Sequence, residues 1–254
     1  MVSSDFRKEA RLKLTGKWGK AVCIVLASLL VSFAISFVQG LLPETGIIAF
    51  IASVAVYAIE IPLTFGILYA FFKLFYGEEV KAFSFWTLGF NNFKKSWGIT
   101  LRTLLKLIVP FILMVVSYLL IIGGSITAMS SASVDSLSAA GSGFLIIIGI
   151  ALFIVSAIWF TVKSYYYSLA EYIAFDNPNL TPNECVLKSQ ELMTNRRGKL
   201  FCLQLSFIGW AILATFTFGI GFLWLVPYIQ MATIAFYDNA AHKNDAEVEV
   251  IEEK

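Results

Sequence analysis

The feature that most constrains this chain is a set of long apolar runs without a single charged residue. Val22–Leu42, Leu107–Val134, Ser136–Val162 and Phe201–Tyr237 contain no Asp, Glu, Lys or Arg. About 20 apolar residues in a helix, rising 1.5 Å each, cross the ~30 Å hydrocarbon core of a bilayer. A water-soluble domain could not cover so much apolar surface: 58% of residues are hydrophobic, 14% are charged and the mean hydropathy is +0.78. The expected fold is all-α, a polytopic membrane helical bundle of six transmembrane helices arranged as three hairpins with cytoplasmic amphipathic helices. The spans fall near 19–42, 47–76, 99–122, 144–172, 200–218 and 220–237. The second and fourth exceed what a bilayer needs, so they tilt or continue as helices beyond it. Only Gly219 separates the last two, and a glycine tolerates the dihedrals of so sharp a turn.

Charge placement orients the chain. Lys and Arg cluster before the first span (Arg7, Lys8, Arg11, Lys13, Lys17, Lys20), around the second connection (Lys73, Lys81, Lys94, Lys95, Arg102, Lys106) and around the fourth (Lys163, Lys188, Arg196, Arg197, Lys199). The connections near Pro43, Ser131 and Gly219 carry none. The positive-inside rule then puts both termini in the cytoplasm of a cell-membrane protein. Ala34-Ile35-Ser36 weakly fits a signal-peptidase site, but the apolar region before it is longer than a signal core, so the first span reads as an uncleaved anchor.

Several short features yield to bland readings. Leu42–Gly46 spells LPETG, the form of a sortase sorting signal, but it sits far from the C-terminus and reads as an external hairpin turn. The Ser/Ala/Gly-rich stretch 123–143 reads as a flexible external connection with one charge, Asp135. Cys23, Cys185 and Cys202 match no metal or redox spacing and read as packing thiols. His242 lies in the polar tail 238–254, whose acidic end reads as a disordered docking segment.

Three segments share an order of features: "EARLKLTGKWGKAVCIVLASLL", "WTLGFNNFKKSWGITLRTLL" and "VLKSQELMTNRRGKLFCLQLSF". Each reads as an interfacial helix (about 5–15, 83–93 and 182–195), then a basic corner, then a span. The returning spans also end alike, in "LFYGEE", "AFDNPN" and "FYDNAA". The pattern points to three copies of one unit, although basic corners and interfacial aromatics are common to membrane proteins generally. The third interfacial helix opens with Thr181-Pro182-Asn183-Glu184, a capping box with proline at the first helical position. Val186, Leu187, Gln190 and Met193 are expected on its apolar side. Phe83, Trp86, Phe90 and Phe93 form an aromatic stripe suited to interface anchoring.

"YSLAEYIAFDNPNLTPNECVLKSQELM", "LSFIGW", "GIGFLWLVPYIQMATIAFYDNA", "GFNNF" and "ARLKLTGKWGKAV" together resemble a family of bacterial multi-pass membrane proteins known as a domain of unknown function. The resemblance covers nearly the whole chain and implies a mainly Gram-positive source. It also implies distant similarity to the membrane domain fused to some glycerophosphodiester phosphodiesterases. It carries no activity and no site residues.

An ionisable residue inside a span marks a functional site by default. Glu60 lies 13 residues into the second span, roughly 20 Å along its axis, beside the kink-favouring Pro62. With Lys106, Lys163, Gln204 and Gln230 it forms a candidate intramembrane polar site. The plainer alternative is interhelical glue. Lys94, Lys95, Arg196, Arg197 and Lys199 are candidate contacts to anionic inner-leaflet headgroups, each worth about 1 kcal/mol. No hydrolase, zinc-binding or nucleotide-binding motif occurs, so no catalytic, metal or cofactor residue is assigned. The leading expectation is a non-enzymatic accessory or interaction protein of the envelope. Its partners would be the lipid bilayer and a membrane protein or a second copy of itself, with no nucleic acid. A small transporter or channel with Glu60 in its pathway is the second expectation, and a lipid-active enzyme the third.

Overall fold

A computed structural model describes residues 2–41, 45–131 and 136–252, with side chains at 2–41, 45–129 and 141–241. Most of the LPETG motif (42–44), Asp135 and the His242 side chain lie outside the described residues. The element order is α1 (Ser3–Leu14), α2 (Trp18–Gly40), α3 (Ile47–Phe75), α4 (Ser84–Asn91), α5 (Phe93–Ser131), α6 (Ser136–Tyr167), α7 (Ala170–Asp176), α8 (Pro182–Met193), α9 (Arg197–Leu205), α10 (Ile208–Phe216) and α11 (Phe222–Glu252). No strand occurs among the described residues. Five stretches are long and apolar enough to cross a membrane: Trp18–Gly40, Ile47–Phe75, Phe93–Met129, Gly141–Asp176 and Arg197–Phe216. α11 is outside that set, because Tyr228, Gln230, Tyr237, Asp238 and Asn239 interrupt its apolar run. α11 also continues as helix to Glu252, through the segment expected to be a disordered tail.

The chain divides into two compact units, 1–100 with 169–254, and 101–168. The second unit pairs α5 with α6 along a seam of small residues. Ser117 and Gly124 on α5, and Ser142, Gly149 and Ser156 on α6, recur every seven residues and are all buried. A Cβ on Gly149 would lie 3.1 Å from the Ser117 carbonyl oxygen, and one on Gly124 3.1 Å from that of Ser142. Small side chains let backbones approach where lipid supplies no hydrophobic drive. This seam changes the reading of 123–143: both helices run on into that stretch, leaving only 132–135 outside the description. Gly124 and Ser142 there serve close helix packing.

In the larger unit, burial switches on along each helix at one level. α2 buries Ala21, Ile24, Val25 and Ala27 and nothing beyond, and α3 buries nothing before Pro62. The core below that level is aromatic. Phe65, Phe71 and Phe75 of α3, Phe6 of α1 and Tyr237 of α11 are each at most 2% exposed. α1 places Phe6, Ala10 and Leu14 against α11, with Phe6 and Phe236 edge-on at 5.4 Å. α4 lies against α3 with almost no gap, through Gly66 and Gly89. Above the level, Phe33, Phe37, Phe50 and Ile51 stand exposed, as lipid-facing side chains do. The α10–α11 turn falls where expected, with Phe218 (φ 53°) and Gly219 (φ 85°) both left-handed.

The apolar face of α8 differs from expectation by about one residue. Cys185, Val186, Ser189, Leu192 and Met193 are buried, while Leu187 and Gln190 are exposed. Ser189 is drawn inward because its hydroxyl accepts the Leu169 amide at 3.2 Å. Of the cysteines, only Cys185 packs inside; Cys23 and Cys202 are exposed, and all three are free thiols.

Candidate functional site

Glu60 sits at the level where burial begins. It lines a cleft of about 210 Å³ between α2 and α3, together with the hydroxyls of Ser28, Ser32 and Thr64 and the ring of Phe85. Its side chain is exposed to the cleft, and Trp97 Nε1 donates to the Ala58 carbonyl 3.4 Å away on the same stretch of α3. Val31, Ile35, Leu63 and Ile67 complete the lining, so the Glu60 cleft is mixed polar and apolar. Lys106 and Lys163 belong to the 101–168 unit, where the Lys106 ammonium stands 5.9 Å over the Tyr167 ring. Gln204 is exposed on α9, and Gln230 on α11 accepts from the Tyr172 hydroxyl at 3.2 Å. Neither glutamine lines the Glu60 cleft.

The basic corners do something the sequence did not disclose. Lys17 Nζ, at the start of α2, donates to the Leu74 carbonyl at the end of α3, 3.1 Å away. Lys95 Nζ, at the start of α5, donates to the carbonyls of Ala174, Asn177 and Pro178, at the end of α7 and just past it, at 3.1, 3.0 and 2.9 Å. Arg196 Nη1, just before α9, donates to the Ala240 carbonyl of α11 at 3.1 Å. In each case a cation at the start of an outgoing helix meets a carbonyl of the returning segment; for Lys17 and Lys95 it lies at a helix C-terminus, which carries the negative end of the helix dipole, whereas Ala240 lies inside α11. Lys95 has all three of its N–H donors used in this way. Of the other headgroup candidates, Lys94 and Lys199 are exposed and Arg197 is half-buried.

The three similar motif ends also meet one another. The Tyr76 hydroxyl of "LFYGEE" donates to Asp238 of "FYDNAA" at 2.6 Å, and Tyr237 donates to Asp176 of "AFDNPN" at 2.9 Å. Around them Phe72, Phe175, Tyr172 and Tyr237 pack with ring centroids 5.5–6.5 Å apart, within the range of favourable aromatic pairs. Glu9 of α1 stands near this hub. Burial pushes its carboxyl above the ordinary range, the Asp238 charge adds to the rise and Lys13 opposes it. The recurring aromatic–acid–Asn string was the available signal for the hub, but nothing in it says that a tyrosine of one copy meets an acid of another.

α8 is fixed by its capping box. The Thr181 hydroxyl accepts the Glu184 amide at 3.4 Å, and Glu184 accepts the Thr181 amide at 2.7 Å. That second bond holds the Glu184 carboxyl below its ordinary range. Burial pushes the Cys185 thiol up, away from the reactive thiolate. On α4 and its junction with α5, Trp86, Phe90, Phe93 and Trp97 form a continuous aromatic ladder with successive centroids 4.8–6.5 Å apart. No cluster of three or more His, Cys, Asp or Glu with metal-binding geometry occurs among the described residues.

Apolar helices of spanning length, with lipid-facing flanks above a packed aromatic base, define the class: a multi-pass, all-helical membrane protein. Over residues 1–244 the chain matches the family described as "Protein of unknown function (DUF975)", and it belongs to that family. No curated protein and no solved structure matches it.

Proposed function

We propose that the chain crosses the cell membrane six times as three hairpins, with both termini cytoplasmic, and acts as a non-enzymatic accessory or interaction protein of the envelope. The carrying observation is the repeated clasp. Lys17 to Leu74, Lys95 to Ala174 and Arg196 to Ala240 each join the start of an outgoing helix to the returning segment of the same out-and-back unit. The Tyr76–Asp238 and Tyr237–Asp176 bonds then link the three ends, which supports a common side for all of them. The basic composition of that side favours the cytoplasm. Amphipathic helices α1, α4 and α8, with exposed Trp86, Phe93, Lys94 and Lys199, would lie at anionic inner-leaflet lipids and offer a surface to a membrane-protein partner or a second copy.

Cysteine labelling tests the arrangement, in a chain whose own cysteines are replaced by alanine. Thr45→Cys and Phe218→Cys should react from outside, and Asn183→Cys only after permeabilisation. Labelling of Phe218→Cys from inside alone would refute the sixth span. In-cell crosslinking with lipid analysis of the same material tests the accessory role.

A second reading, a small transporter or channel, is favoured by the Glu60 cleft, which Ser28, Ser32 and Thr64 also line. Glu60→Gln should then abolish solute flux at normal abundance and folding. Unchanged function of that variant would remove Glu60 from any pathway.

A further inference from the structure

A second groove, distinct from the Glu60 cleft, opens on the larger unit between α1, α2, α10 and α11. Trp18, Trp210 and Trp224 wall it, and Leu213 and Leu225 help to line it. It holds about 460 Å³, within the range of sites that take one organic molecule. Arg11 also lines it. Arg11 Nε donates to the Tyr228 hydroxyl at 2.9 Å, and the guanidinium stands 5.4 Å over the Tyr228 ring. The arginine is thus anchored through one nitrogen and by its face. Neither terminal nitrogen has a hydrogen bond or carboxylate partner among the described residues. That is the state of an arginine free to present two parallel N–H groups to an oxyanion.

The helices that form the groove lead on to a strongly apolar tip. Phe216, Phe218 and Ile220 at the α10–α11 turn are 79%, 99% and 59% exposed. Tryptophans beside a cation are what the membrane–water interface selects. A soluble anion would leave the tryptophan walls wet, whereas a lipid would fill both ends of the groove.

We infer that this groove binds one anionic membrane phospholipid, with its phosphate on Arg11 and an acyl chain between Trp18, Trp210 and Trp224. The inference rests on the membrane-embedded reading above. Tyr228 also lines the groove and orients Arg11 through its hydroxyl.

The test uses the full chain, expressed in membranes, washed with alkaline carbonate and then purified in detergent. Native mass spectrometry follows, with phosphatidylglycerol and phosphatidylcholine of the same acyl composition added at equal concentration. The expected result is one phosphatidylglycerol retained, at least tenfold over phosphatidylcholine. Arg11→Gln should abolish that preference, and Tyr228→Phe should reduce it. Lys81→Gln, which removes an exposed cation elsewhere, should leave it intact. Equal retention of the two lipids, or a loss in Lys81→Gln as large as in Arg11→Gln, overturns the groove assignment alone. Release of the protein by the carbonate wash overturns the membrane reading and this inference with it.

Discussion

The contact between α3 and α4 gives the sharpest quantitative prediction. A Cβ added to Gly66 would lie 2.0 Å from the Phe85 carbonyl oxygen, and one added to Gly89 would lie 2.0 Å from that of Pro62. Both obstacles are backbone, so no side-chain rotation relieves them. Restoring ordinary contact requires the helices to part by about 1.4 Å, and a gap of ~0.5–1 Å already forfeits a quarter to a half of the dispersion energy. Overpacking of this kind costs about 3 kcal/mol at its upper end. Alanine recovers about 1 kcal/mol of helix propensity over glycine. Gly66→Ala should therefore lose about 2 kcal/mol net, or roughly 4–8 °C in Tm for a chain of this size. Gly209→Ala, where nothing lies within 4 Å of the added Cβ, should match or exceed the parent. Since one separation relieves both clashes, Gly66→Ala with Gly89→Ala should cost clearly less than the two singles combined. The measurement is thermal unfolding in detergent, followed by far-UV circular dichroism. An unshifted Tm for Gly66→Ala, or strict additivity in the double variant, would refute the close contact.

Lys95→Met should lower stability by about 2 kcal/mol, because it strips a cation from three carbonyls. Its exposed neighbour Lys94, replaced likewise, should change stability by less than about 0.5 kcal/mol; equal effects in a thermal melt would contradict the clasp. Tyr237→Phe keeps the ring and removes the bond to Asp176, for about 1 kcal/mol by the same melt. Glu184→Ala should destabilise at neutral pH and progressively less in acid. The folded-state carboxyl of Glu184 is held low, so its contribution is present above the ordinary carboxylate range and lost as pH falls through the folded value. A pH-independent difference between parent and variant would separate Glu184 from the cap.

Periodicity and local chemistry were legible in the sequence, and long-range partners were not. The capping box at Thr181 and the turn at Gly219 could be read because each is settled within a few neighbouring residues. The α1–α11 pairing joins the two ends of the chain, and no local pattern in Phe6 or Phe236 names the other. Pro62, Pro110 and Pro227 all lie within continuous helices, so proline marked no boundary at those three positions, unlike Pro182 at the start of α8. The break between α9 and α10 at Ser206–Phe207 has neither glycine nor proline to announce it. Lys95 looked like a headgroup contact because composition places lysines at the interface, whereas its targets depend on where α7 ends. Glu60 stood out correctly as polar, but its surroundings depend on which face of α2 turns toward it.

The clasps carry a consequence for how such a chain is made. Synthesis proceeds from the N-terminus, and elements form as they emerge. The Lys17 clasp can close once α3 is complete, the Lys95 clasp once α7 is, and the Arg196 clasp only with α11. Each unit can therefore lock itself before its successor exists. The first helix is the exception: Phe6, Ala10 and Leu14 find their partner only when the last helix arrives. Until then α1 has an uncovered apolar face beside a bilayer, and docking of α11 onto it is the closing event of assembly. A chain truncated before α11 would retain two locked units and an N-terminal helix without its main packing partner.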